Sequence, residues 1–242
     1  MDDLKEIARQ LREELIALHK KYQLPHIGSE MSCLEIMVDL HFSVMNGEDR
    51  FILSKGHAAY ALYAVLHKKG LISDEIYATA GENGSLLAEH TTYPEYLVKL
   101  GSLGHGLLIG TGTALARKMS NRKGITYVLC SDGEMQEGST LEAMWQAPRF
   151  KLGNLVCIVD YNKWQAYDRT IVSDKYLAGM FAAAGLDVRN VDGHERFAGS
   201  LEKILKEKRE SEKPLLIIAD TVLGKGIEGY EDKLESHYRP PK

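Results

Sequence analysis

The chain has 242 residues, 44% of them apolar, enough to enclose one sizeable core and within the size range of a single α/β domain. Its 30 Lys and Arg against 34 Asp and Glu leave a net charge of −4, and the basic residues are scattered, which argues against the basic face that a nucleic-acid backbone requires. No apolar run approaches a membrane span, and the odd set Cys33, Cys130 and Cys157 lies in apolar stretches without metal-ligand spacing. A cytoplasmic protein with reduced thiols is expected, with neither nucleic acid nor membrane as a partner.

Residues 1–22 carry acids at once and an amphipathic period through Leu4, Ile7, Ala8, Leu11, Leu15 and Leu18, the pattern of a surface helix rather than a signal peptide. His26-Ile27-Gly28-Ser29 then reads as a turn, followed by a buried helix from about Ser32 to Met45. "RFILSKGHAAYALYAVLHKKG" repeats the plan, with a short strand, a turn at residues 54–57 and a helix closed by Gly70. Residues 81–106, rich in Gly and polar residues, read as a long excursion of the kind that serves binding.

From residue 125 the pattern becomes regular. Apolar β-branched runs at Ile125–Cys130, Leu155–Val159, Val188–Val191 and Leu215–Ala219 alternate with helical stretches, which predicts an open, mostly parallel sheet flanked by helices. Each run ends in a carboxylate, at Asp132, Asp160, Asp192 and Asp220, and in such sheets the ligand crevice lies beyond the carboxyl ends of the strands. The whole chain reads as one domain, 1–242, with a tail, or a loop lying against something else, from about 224 to 242.

Asp132 and Asn162 end two successive strands. A carboxylate and an amide oxygen brought together there suit Mg²⁺ or Ca²⁺, with phosphate oxygens and water completing the shell, so a metal-bridged diphosphate is the natural reading. Gly133 permits close backbone approach. Taken alone, Asp132 is equally a helix cap, since Asp is a preferred N-cap residue. No G-x-G-x-x-G follows a strand, which argues against a dinucleotide site.

"SDGEMQEGSTLEAMWQAPRFKLGNLVCIVDYNKWQ" resembles the thiamine-diphosphate motif of the transketolase family, and "PHIGS", "RFILSKGHAAYALYAVLH", "GSLGHG" and "VDGHE" extend the resemblance over nearly the whole chain. It corresponds to the N-terminal part of a transketolase, so the resemblance implies the diphosphate-binding subunit of a split enzyme, built on the thiamine-diphosphate-binding fold. It implies thiamine diphosphate and Mg²⁺ as cofactors, with Ca²⁺ or Mn²⁺ as substitutes. The metal ligands would be Asp132, Asn162 and the main-chain carbonyl of Trp164. Cofactor contacts would come from His57, His90, Gly101, Leu103, Asp132, Gly133, Glu134 and Asn162.

The same resemblance places His26 and His57 in the donor-substrate funnel and His237 at the diphosphate or substrate. It sets Glu137 and Glu142 in a proton network near a subunit interface; read without it, turn histidines are solvated or capping residues, and the two acids are ordinary acids at a helix N-terminus. The expected partner is a second subunit carrying the pyrimidine-binding and C-terminal domains, in an α₂β₂ assembly. The expected reaction moves a two-carbon ketol unit from a ketose, such as a ketose phosphate, to an aldose.

The sequence departs from the family at Ser131, which replaces a glycine, at His105, and at Trp164 and Tyr167, where the family has smaller residues. Tyr161, Trp164 and Tyr167 are either packing or a reshaped site for a modified sugar, as in polysaccharide biosynthesis or sulfosugar metabolism. A non-catalytic relic of the fold is the remaining alternative, and an intact hard-metal pair argues against it.

Overall fold

The computed structural model describes residues 2–88, 93, 98, 100–195, 197–208 and 211–241. The apolar runs form strands β1 (Arg50–Leu53), β2 (Thr126–Ser131) and β3 (Leu155–Tyr161), a short antiparallel hairpin β4 (Trp164–Gln165) and β5 (Asp168–Arg169), then β6 (Asp187–Asp192) and β7 (Leu215–Asp220). The main sheet is parallel throughout in the order β1-β2-β3-β7-β6, the expected open α/β arrangement. Strands β2 and β3 are buried along their whole length, which is why they read as continuous apolar runs rather than alternating ones.

Successive side chains of a strand point to opposite faces, and the two halves of the core follow that rule. Tyr127 and Leu129 pack under helices α1 (Asp2–Tyr22), α2 (Ile27–Asp39) and α3 (Ala59–Lys68), against Leu15, Met31 and Tyr63. Val128 and Cys130 face the other layer, which follows the one-turn α4 (Asp74–Tyr77) and comprises α5 (His105–Met119), α6 (Gly138–Arg149) and α7 (Asp174–Ala184). Helix α8 (Phe197–Glu207) returns to the first face through Phe197 and Leu201. Among the described residues no helix is long and apolar enough to cross a membrane.

One local expectation is corrected. Helix α2 starts at Ile27, not at Ser32, because His26 itself turns the chain in the left-handed region (φ 68°), and the segment 27–29 is already its first turn. The helix closes in a π-helical turn over Leu40–Val44. Residues 224–241, read as a tail or a loop lying against something else, lie against α2: the Gly224 N–H donates to the Gly28 carbonyl at 3.0 Å, the His26 N–H to the His237 carbonyl at 3.0 Å, and α9 (Glu235–Tyr238) packs on α2. A Cβ at Gly28 would stand 2.6 Å from the Ser236 carbonyl oxygen, so the arm seats only against a residue without one. The β4–β5 hairpin, absent from the sequence reading, follows directly from Asn162.

Candidate active site

The parallel register sets Ser131 beside Asp160, so Asp132 and Asn162 emerge from adjacent strand tips at the carboxyl edge. The intervening backbone ties them together. The Lys163 N–H donates to Asp132 Oδ2 at 2.7 Å and the Trp164 N–H to Asn162 Oδ1 at 3.0 Å. Asp132 also caps the 3₁₀ turn Gly133–Gln136 by accepting from the Gly133 N–H at 2.8 Å on Oδ1, in line with the capping reading. Ser131, standing for the family's glycine, accepts from the Glu134 N–H at 3.4 Å and helps hold that turn.

Behind this edge lies a charged network. Asp160, fully enclosed, accepts from the Lys55 ammonium, from Ser32 Oγ at 2.5 Å, from Thr221 Oγ1 and from Asn162 Nδ2 at 3.3 Å. The last contact fixes the amide of Asn162 with its nitrogen turned inward and Oδ1 left on the other side. Burial opposes charge on Lys55, yet the neighbouring Asp160 carries its ammonium above the usual range. Burial, reinforced by the Asp160 charge, pushes the Asp132 carboxyl up to about 7.

Over the strand tips opens a cavity of about 500 Å³ whose walls include His26, His57, His237, Gly101, Leu103, Ser131, Gly133, Glu137, Asn162, Trp164 and Tyr238. The three imidazoles gather from distant parts of the chain. Ring centroids of His26 lie 5.5 Å from His57 and 5.4 Å from His237, and those of His57 and His237 are 6.0 Å apart. Burial, with the His26 and Lys55 charges, lowers His237 to about 4, so it stays neutral near pH 7. Gly104 (φ 80°) lets the 101–106 loop press on α6, since a Cβ there would collide with that of Glu137.

Several expected site residues stand apart from the cavity. The Glu134 side chain is buried and turns inward beneath the loop, with Oε2 accepting from the Gly104 N–H at 3.4 Å. Glu142 lies on the exposed face of α6 beside Trp145, whereas Glu137, at the N-cap of α6 without a capping bond, lines the cavity. His105 starts α5 on the exposed side. His90 falls outside the described residues. Tyr161 is a packing residue, donating to the Val172 carbonyl at 3.2 Å.

The sequence reading missed Lys55, Ser32 and Thr221, which hold Asp160, and Tyr238, which lines the cavity. Lys55 stood in the quoted Ser-Lys-Gly-His turn, where only a buried counter-charge on β3 gives it meaning. Tyr238 carried no signal at all.

A parallel α/β sheet that gathers a carboxylate, an amide oxygen and a histidine-walled cavity at its carboxyl edge defines an α/β domain with a polar ligand crevice at the strand tips. Residues 41–241 match the family model described as transketolase, thiamine diphosphate binding domain, and the chain belongs to that family. It is 38% identical to an apulose-4-phosphate transketolase subunit of Phocaeicola vulgatus, covering 95% of this chain and 86% of that one. It is 32% identical to the 6-deoxy-6-sulfo-D-fructose transketolase subunit SqwG of a Clostridium species, over 97% of this chain and 90% of that one. The crystal structure of transketolase from Campylobacter jejuni superposes with a TM-score of 0.87 at 28% identity; 99% of this chain is covered, which spans only 41% of that enzyme. The expected fold and the expected likeness to transketolase N-terminal subunits are thus borne out.

The donor set fits the cofactor that the family takes. Among the described residues no three His, Cys, Asp or Glu side chains gather to hold a metal; Asp132 and Asn162 would offer two hard oxygen donors to a cation, and the rest of its shell would come from a ligand and water. Nδ1 of His237, which lines the cavity, is buried without a hydrogen-bond partner, a group that a ligand bound there would satisfy.

Proposed function

We propose that this chain is the diphosphate-binding subunit of a split transketolase, transferring a two-carbon ketol unit from a ketose donor to an aldose acceptor. The observation that carries the reading is the tie of Asp132 and Asn162 through the Lys163 and Trp164 amides at one edge of the sheet, under a cavity walled by three histidines. Asp132, Asn162 and the Trp164 carbonyl would hold Mg²⁺, with Ca²⁺ or Mn²⁺ as substitutes, and the cation would bridge to the diphosphate. Gly101, Leu103 and Gly133 border the cavity closely enough to give the cofactor main-chain contacts.

Thiamine diphosphate, once bound, supplies the carbon nucleophile and the electron sink of the reaction. The chain's own residues do the rest. His26, His57 and His237 present imidazole edges that donate to or accept from sugar hydroxyls, and His57 and His26 can carry a proton to and from the donor's hydroxyl. Glu137, whose carboxylate is free of a capping role, would belong to a proton path toward the second subunit, joined by Glu142 across the interface. The partner would carry the pyrimidine-binding and C-terminal domains in an α₂β₂ assembly in the cytoplasm, and His90 would join the cofactor side of the site.

Turnover of the purified chain with thiamine diphosphate, Mg²⁺, a ketose and an aldose, with and without the second polypeptide, tests this. Activity only with the partner is expected; robust activity of the chain alone would refute the split-subunit reading. A modified sugar as substrate is favoured by two observations: relatives named for apulose 4-phosphate and 6-deoxy-6-sulfofructose, and bulky Trp164 and Tyr238 on the cavity wall. Comparing kcat/KM for those two ketoses with that for a plain ketose phosphate decides it.

A further inference from the structure

The hairpin β4–β5 stands where it cannot hold itself. It has two residues in each strand, its Asp168 and Arg169 are exposed, and both Lys163 (φ 72°) and Ala166 (φ 39°) adopt backbone conformations that favour glycine. A two-stranded ribbon of this length is marginal in water, and this one buries no core side chain of its own. Yet its first residue, Trp164, sets one wall of the cavity and carries the main-chain carbonyl assigned to the metal.

The first strand of the hairpin and its lead-in are tied to the sheet edge through Lys163, Trp164 and Gln165, by contacts to Asp132, Asn162, Asp220 and Gln136, whereas Arg169, the indole of Trp164 and the tip are held by the C-terminal arm. Asp232 accepts from the Trp164 indole Nε1–H at 2.9 Å and from Arg169 through both terminal nitrogens, at 2.5 and 2.9 Å, and the Arg169 guanidinium lies 3.9 Å over the Trp164 ring. At the hairpin's tip Tyr167 stacks on Tyr238, with centroids 4.9 Å apart and planes at 23°. The arm itself is anchored elsewhere. The Asp232 N–H donates to the Leu223 carbonyl at 2.9 Å, and the His237 carbonyl accepts from His26. The arm thus has anchors of its own, and the clasp joins it to the outer strand of the hairpin.

We infer that Asp232 is a positioning residue that fastens the 164–169 hairpin to the arm bearing His237 and Tyr238, so that the metal side and the histidine side of the cavity keep one geometry. An exposed ion pair contributes little to global stability, so the bidentate clasp matters for where the hairpin sits rather than for whether the chain folds. Its consequence for cofactor binding rests on the transketolase reading above; the clasp itself does not.

The test uses Asp232→Asn, which tolerates the left-handed backbone at that position (φ 54°), and Arg169→Gln, which breaks the clasp from the other side. Hydrogen exchange on the full chain should show the Trp164 and Thr170 amides exchanging about tenfold faster in both variants, while the β3 amides keep their protection. In the complex with the partner subunit, affinity for thiamine diphosphate with Mg²⁺ should fall about tenfold, in the range of lost support for a metal ligand, with kcat at saturation close to the parent's. Unchanged exchange at the hairpin overturns the inference, and so does faster exchange with cofactor affinity unmoved. Should the parent complex fail to bind thiamine diphosphate, the proposed function fails, and the exchange result alone decides whether Asp232 clasps the hairpin.

Discussion

The Lys55 ammonium and the Asp160 carboxylate meet with neither side chain reaching solvent, directly behind the strand tip that carries Asn162. Charges enclosed in this way are tolerated only as a pair, and Ser32 and Thr221 complete the hydrogen bonding of the carboxylate. The pair does more than survive burial, because Asp160 holds the Asn162 amide by its nitrogen and so decides which way its oxygen faces.

Removing one charge leaves the other uncompensated. Lys55→Met should lower the unfolding free energy by about 3–5 kcal/mol, and the double change with Asp160→Leu should cost less than the sum of the two singles. Urea unfolding of the three variants measures this. A loss below about 1 kcal/mol for Lys55→Met would show that the ammonium is not held where the structure places it.

Asp132→Ala takes away the carboxylate of the proposed metal pair while leaving Asn162 and its tie to the Trp164 amide intact. Calorimetric titration of the complex with thiamine diphosphate should then show no Mg²⁺-dependent binding. Binding that keeps its Mg²⁺ dependence in this variant removes Asp132 from the site.

His57→Ala should separate chemistry from binding. An imidazole that moves a proton at the donor contributes about 10²–10⁴-fold, so kcat should fall in that range while cofactor affinity stays within severalfold of the parent's. Steady-state kinetics beside a cofactor titration read the two effects. A change confined to cofactor affinity would assign His57 to the cofactor alone.

His237 gives a pH signature. Its neighbours are His26, His57 and Tyr238, with the Lys55 charge beyond, and burial together with the His26 and Lys55 charges lowers it from 6.5 to about 4. Between those values the unfolded chain takes up a proton that the folded chain refuses, so this contribution is complete above pH 6.5 and is lost as pH falls toward 4. His237→Asn should therefore lose less stability between pH 7 and pH 4.5 than the parent, by at most about 3 kcal/mol. Parallel acid limbs in urea unfolding at several pH values would contradict it.

The elements legible along the chain are those whose information is local. Buried parallel strands announce themselves as runs such as Val128 to Cys130, their ends by the change to Asp132 or Asp160, and α1 by its period of apolar residues. Errors fell where one residue's backbone decided the outcome: His26, in a left-handed conformation, starts α2 earlier than the polar residues around it suggest. The hairpin at 164–169 was invisible because it buries too little to leave a pattern, and is held by Asp232, far along the chain.

Order along the chain was enough to specify the parallel α/β fold and an acid and an amide at adjacent strand tips, since strand periodicity and the βαβ connection need only near neighbours. It took the folded molecule to reveal that His237 joins His26 and His57, that Lys55 neutralises Asp160, that Glu134 turns away from the cavity and that Asp232 holds Trp164. Those contacts exist because the arm folds back onto α2 and the sheet brings β1, β3 and β7 together, and closure between segments so far apart leaves no period in the sequence to read.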